Sequence, residues 1–216
     1  MLKKIFRVGI PAAIQMAITA FSNIFVQSYI NFFGDNCMSG WTTYAKVDQI
    51  LFLPMQSIAL ASTTFVGQNL GCNQVDRARK GVTRALVIAL SSTAILMVPV
   101  MIFAEPIVAF FNNKEEVVYY GSLLLRWITP FYLLCCFNQI YSGALRGAGN
   151  SKAPMIFMLS SFVVFRQIYL FVISRVMPGN VQVIGLGYPL GWVLCSTLMT
   201  IYYRKSNWQE KCLKQA

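Results

Sequence analysis

The chain contains no histidine, which removes the most frequent metal ligand and the usual general base of hydrolytic enzymes. Charge is scarce as well. Asp, Glu, Lys and Arg make up 12% of the 216 residues, where a soluble domain carries about 25%. The six cysteines, Cys37, Cys72, Cys135, Cys136, Cys195 and Cys212, include no CxxC pair and do not gather in one loop. That spacing argues against a zinc site and against a disulfide framework, and the cysteines read as small apolar packers. These deficits point away from an enzyme and away from any metal or cofactor.

What replaces charge is apolar surface. Hydrophobic residues make up 56% of the chain, and the mean hydropathy is +0.57. Runs of about 20 apolar residues form membrane-spanning helices, because each backbone polar group in hydrocarbon must find its partner within its own segment. Six such runs occur, at about 8–33, 42–68, 82–103, 117–145, 153–174 and 181–203. The expected fold class is therefore an all-α integral membrane protein, a six-transmembrane-helix bundle over residues 1–205 with a tail at 206–216. The first run does not read as a cleavable signal peptide, since it is too long and carries Gln15, Asn23, Gln27 and Asn31.

A net charge of +11 would suggest nucleic acid in a soluble protein, but in a membrane protein its distribution over the loops decides its meaning. One set of alternate loops holds Lys3, Lys4, Arg7, Arg77, Arg79, Lys80, Arg84, Arg146, Lys152, Arg204, Lys205, Lys211 and Lys214; the opposite set holds only Lys114 and Arg175. The positive-inside rule then places both termini in the cytoplasm. Anionic lipid headgroups account for basic clusters at helix ends, so no nucleic-acid partner is expected.

Polar residues within the spans mark the candidate site, since each costs a few kcal/mol unless it finds a partner or water. Gln15, Thr19, Ser22, Asn23, Gln27 and Asn31 recur at spacings of three and four along the first span. They serve either as helix-to-helix hydrogen bonds or as the lining of an aqueous path. The second span carries Lys46, Asp48, Gln49, Gln56 and Thr63, with Pro54 expected to kink it. Asp48 is the one carboxylate assigned to the membrane interior. Counted from position 42 it lies about 9 Å in, in the outer half of the bilayer. Lys46 can snorkel to the headgroups, while Arg126 and Arg166 fall at similar depth as possible partners for Asp48 or as structural ties between helices. The fourth span adds Thr129, Cys136, Gln139 and Gly143 near one face, with a second kink expected at Pro130. Aromatic residues and methionines, among them Phe52, Met55, Phe131, Tyr132, Phe137 and Tyr141, suit an adaptable pocket for flat organic cations.

Several motifs fall at helix ends. Thr64-Phe65-Val66-Gly67-Gln68-Asn69-Leu70-Gly71 closes the second span, followed by the basic loop Asp76-Arg77-Ala78-Arg79-Lys80-Gly81, and Ser142-Gly143-Ala144-Leu145-Arg146-Gly147-Ala148-Gly149 closes the fourth. With Gly9-Ile10-Pro11 and Lys46-Val47-Asp48-Gln49 before Pro54, the chain resembles the multidrug and toxic compound extrusion (MATE) family over nearly its whole length.

The resemblance implies one lobe, the C-terminal one, of a two-lobe transporter in a bacterial plasma (inner) membrane. Such a transporter exchanges drugs or cationic organic metabolites for sodium ions or protons by alternating access. It also implies a partner: a second six-helix lobe or a second copy. Asp48 lies where many bacterial members carry an aspartate, so it is the ion-coupling candidate. Gln15, Thr19, Asn23, Gln27, Asn31, Gln49, Gln56 and Gln139 are candidates for the cleft, and Lys46, Arg126, Arg166 and Arg146 for charge partners or gate. Two departures are visible, since Thr19 and Cys135 stand near positions where some members carry carboxylates. A lipid-linked precursor flippase and a non-transporting membrane fragment are the rival readings.

Overall fold

The structure is a computed structural model that describes residues 2–177, 180–206 and 208. The tail expected at 206–216 lies outside the described residues apart from Ser206 and Trp208. Among the described residues there are ten α-helices and no strand, and nine of the helices make up six spans. The first three spans are single helices, α1 (Leu2–Asn31), α2 (Asp35–Gly71) and α3 (Val75–Ile102), and a short α4 (Ala104–Phe111) leads into the fourth. The remaining spans are interrupted. The fourth is α5 (Glu115–Ile128) and α6 (Tyr132–Gly147) joined by a 3-10 turn; the fifth is α7 (Lys152–Leu159) and α8 (Arg166–Val176) joined by a π-helical segment; the sixth is α9 (Val181–Gly185) and α10 (Gly187–Lys205). By length and composition all six can cross a membrane.

Each interruption has a local cause or a local use. Pro130 sits inside the turn Thr129–Phe131, where its missing N–H and fixed φ end one regular helix and begin another. Pro54, expected to act likewise, lies inside an α2 that runs on to Gly71. The π segment, Ser160–Phe165, widens the turn just before Arg166 and so aims that side chain at α1.

Several helices start earlier than their apolar runs, α2 and α3 by seven residues each. Gly34, at φ +88°, turns the chain, and Asp35 then occupies the first turn of α2, where a carboxylate complements the macrodipole. Asp48 therefore lies thirteen residues from the helix start, about 20 Å along the axis at 1.5 Å per residue. Similarly, the basic stretch expected as a loop is helical: Asp76 to Arg84 form the first turns of α3. Polar residues at a helix end carry no hydropathy signal, so apolar runs undercount both starts.

The bundle is built around α2, which packs against α3, α5 and α6, while α10 covers α6 and α1 lies across α7, the π segment and α8. Met55, Leu124, Leu125, Ile128, Tyr132, Ile140, Leu145 and Met199 are fully buried at these crossings. Gly143 and Gly147 make the tightest one. A Cβ on either would collide with the α2 backbone, at Ala59 and Thr63 respectively, so the small-xxx-small spacing brings two backbones into direct contact. Gly149, at φ +79°, then closes α6 in the left-handed conformation, and the Asn150 N–H donates back to the Leu145 carbonyl at 2.9 Å. The outer surface is apolar: Ile10, Met16, Phe21 and Ile24 on α1 and Val87, Ile88, Ile95 and Val98 on α3 are exposed. In water such patches would drive association; in a bilayer they face lipid.

Candidate functional site

Asp48 is held by two phenols. Tyr44, one turn earlier on α2, donates its hydroxyl to Asp48 Oδ1 at 3.3 Å, and Tyr132 donates to the same oxygen from the first residue of α6. The two hydroxyls are themselves 3.4 Å apart. The Pro130 turn fixes where α6 begins, and with it the height at which Tyr132 meets α2. Asp48 remains half-buried and forms no salt bridge among the described residues.

Aromatic rings surround this triad. Phe52 lies 5.4 Å from Tyr132 and Trp192 lies 5.4 Å from the same ring, centroid to centroid. Trp41 packs on Tyr44 at 5.2 Å and on Tyr188 at 5.5 Å. α2, α6 and α10 thus contribute the faces of a wall with one carboxylate in it. Ring faces carry partial negative charge, so wall and carboxylate attract the same kind of ligand, a cation.

The arginines are used differently from the expected pairing with Asp48. Arg126 is exposed and forms its salt bridge with Glu105 of α4 at 3.0 Å, an acid that becomes its neighbour only because α4 folds back on α5. Arg166 is buried, yet its Nη2 donates to Ser22 Oγ at 2.9 Å and to Asn23 Oδ1 at 2.8 Å. Its guanidinium carbon lies 4.7 Å from the Tyr188 ring centroid. Gln167 donates to the same Ser22 hydroxyl at 2.8 Å, so residues 166 and 167 fasten α8 to α1. Lys46 is exposed and its Nζ lies 5.4 Å from the Phe111 ring centroid, on α4. Arg146 binds Gln15 Oε1 at 2.9 Å, and Gln15 in turn donates to Met158 Sδ at 2.8 Å, tying α1, α6 and α7 at the far end of the bundle.

The polar stripe of the first span divides. Gln15 and Ser22 are buried, Thr19 and Gln27 are half-buried, and Asn23 and Asn31 are exposed. Steps of four residues rotate about 40° around a helix, so the series winds from the bundle face at Gln15 to the open face at Asn31. Gln27 donates to Asn31 at 3.2 Å. Gln15, Ser22 and Asn23 are thus glue between helices, and the C-terminal end of the stripe, at Asn31, faces outward. Gln49 and Gln56 are exposed on α2 and Gln139 is half-buried on α6; the side-chain hydrogen bonds to Asp48 among the described residues come from Tyr44 and Tyr132 instead. Thr19 keeps a buried hydroxyl with no partner. Cys72, expected as a packer, is exposed, while Cys37, Cys135, Cys136 and Cys195 are free and buried.

Tyr44, Trp41, Tyr188 and Trp192 escaped the sequence reading. A signal existed: Tyr44 stands four residues before Asp48, and Tyr188 and Trp192 are four apart in the last span, the spacing that puts each pair on one helix face.

Three comparisons place this geometry among known proteins. Residues 11–172 match the MatE family profile. The chain is 26% identical to the probable multidrug resistance protein YpnP of Bacillus subtilis over 95% of its own length and 46% of that protein. Against the probable multidrug resistance protein NorM of Thermotoga maritima it is 22% identical, over 98% of this chain and 46% of the other. The solved MATE transporter ClbM, in complex with Rb+, superposes with a TM-score of 0.91 at 20% identity, covering all of this chain and 50% of that one. The chain spans about half the length of the relatives it matches, and with its profile match over residues 11–172 it belongs to the MatE family.

Proposed function

We propose that this chain works as one half of a cation-coupled antiporter, with Asp48 as the group that exchanges the coupling ion, sodium or proton, against an organic cation. One observation carries the reading: a half-buried carboxylate held by two hydroxyls inside a ring of aromatic faces and, among the described residues, left without a salt-bridge partner. A carboxylate in such surroundings is costly unless a cation visits it, and alternating access supplies that visitor from either side in turn. Relatives described as probable multidrug resistance proteins support export of drugs or metabolites. The working unit pairs this lobe with a second one or with another copy, in a bacterial inner membrane with both termini cytoplasmic.

The flippase reading asks for cationic side chains free to meet a phosphate in the cleft. Arg166 and Arg146 are instead engaged by α1, which favours the antiporter. The test is efflux of a fluorescent cation from vesicles holding the assembled transporter: Asp48→Asn abolishes ion-driven efflux at normal expression. Wild-type efflux in that variant removes Asp48 from the mechanism, and absence of transport by any assembly containing this chain supports the non-transporting fragment.

A further inference from the structure

Toward the C-terminal end of α2, ten or more residues beyond Asp48, a groove of about 660 Å³ runs between α2 and α3. Its volume falls in the range of about 300–1,000 Å³ in which proteins seat small ligands. Three cations rim it, Arg77, Lys80 and Arg84, at spacings of three and four that put them on one face of α3. All three are exposed. Arg77 donates to Gln74 at 3.2 Å, a neutral partner that leaves its charge uncompensated, and the neighbouring acid Asp76 is exposed on the same turn. The floor is apolar, formed by Ile58 and Phe65 of α2 and Ile88 of α3. The Phe65 ring occupies the space that any side chain at Gly81 would fill, so this glycine lets α3 pack directly on the ring. Ser62, only 4% exposed, also lines the groove.

These features are ordered along the helix. The cations occupy the first turns of α3, and the exposed apolar stripe of Val87, Ile88 and Ile95 follows directly. A positive rim above an apolar channel is complementary to a phosphate above an acyl chain. We propose that the α2–α3 groove is a binding site for an anionic phospholipid from the leaflet adjoining the α2–α3 connection. Its phosphate is clasped by Arg77, Lys80 and Arg84, and its acyl chain lies on Phe65 and Ile88. Three cations at headgroup level each add attraction for an anionic lipid, and a seated lipid would wedge the two helices at a fixed separation.

The test is native mass spectrometry of the purified chain in detergent, titrated with phosphatidylglycerol and with phosphatidylcholine of identical acyl chains. The wild type binds phosphatidylglycerol at least about tenfold more tightly. R77Q/K80Q/R84Q loses that preference, R204Q/K205Q at the other end of the chain keeps it, and Ala85→Trp, which fills the floor while leaving the charges, weakens binding of the anionic lipid. Equal affinity of the wild type for the two lipids overturns the site whatever the variants do. So does an equal loss in R204Q/K205Q, which would mark general surface charge, and so does displacement of the lipid by equimolar glycerol phosphate, which would mark a headgroup site without a channel.

Discussion

Tyr132 donates its hydroxyl to the carboxylate of Asp48 across 84 positions of sequence, from the first residue of one half-span to the middle of another helix. The bond couples α6 to α2 at the same level at which Trp192 of α10 packs on the Tyr132 ring. In the proposed antiporter, any change in how Asp48 holds an ion is therefore felt at once by three helices. That is the mechanical link a coupled carrier needs between ion and lobe.

Tyr132→Phe separates the bond from the packing. The ring still fills its place against Phe52 and Trp192, while Asp48 loses a hydrogen bond of the charged kind, worth about 1.5–3 kcal/mol. Thermal unfolding followed by tryptophan fluorescence shifts down by a few degrees only. The ion concentration for half-maximal transport shifts by about tenfold, at unchanged substrate affinity. An unshifted ion dependence would mean that Asp48 does not need this donor.

The α2–α6 crossing tolerates no side chain. Gly147→Leu places a branched group against the Thr63 backbone, and overpacking of this kind costs about 1–3 kcal/mol or more. The expected outcome is a lowered melting temperature and reduced yield in detergent. Gly71→Ala is the control, because nothing lies within 4 Å of the Cβ it adds, and it unfolds as the wild type does.

The arginines separate by their surroundings. Arg166→Ala removes two charge-assisted bonds to α1 and the contact with Tyr188, a loss of at least about 2 kcal/mol. Hydrogen exchange in α1 rises accordingly. Arg126→Gln breaks an exposed pair with Glu105, worth about 0–1 kcal/mol, and changes neither exchange nor melting. Equal effects of the two would contradict the assignment of Arg166 as the tie that holds α1.

The number of spans was legible in the sequence because 20-residue apolar runs have one physical meaning. Asp48 was legible for the same reason: a lone carboxylate in such a run is conspicuous. Its surroundings were not. Tyr44 is readable as an i−4 neighbour, but Tyr132 and Trp192 reach the site through helix crossings set by Gly143 and Gly147, and no hydropathy pattern reports a crossing. For the arginines, depth along a helix was readable and rotation about it was not, so pairing with Asp48 and tying helices together both stayed open. Glu105 captures Arg126 through α4, an eight-residue helix too short to register as a span. Arg166 turns toward α1 because a π segment precedes it, and that distortion leaves no mark in composition.

Ion movement measured directly decides the central claim. Vesicles containing the assembled transporter, loaded with a pH-sensitive dye or followed with a sodium electrode, receive an imposed gradient of organic cation. The wild type drives a counterflow of sodium ions or protons, and Asp48→Asn drives none while still binding the organic cation. Counterflow of wild-type size in Asp48→Asn would contradict the account and place the coupling ion elsewhere.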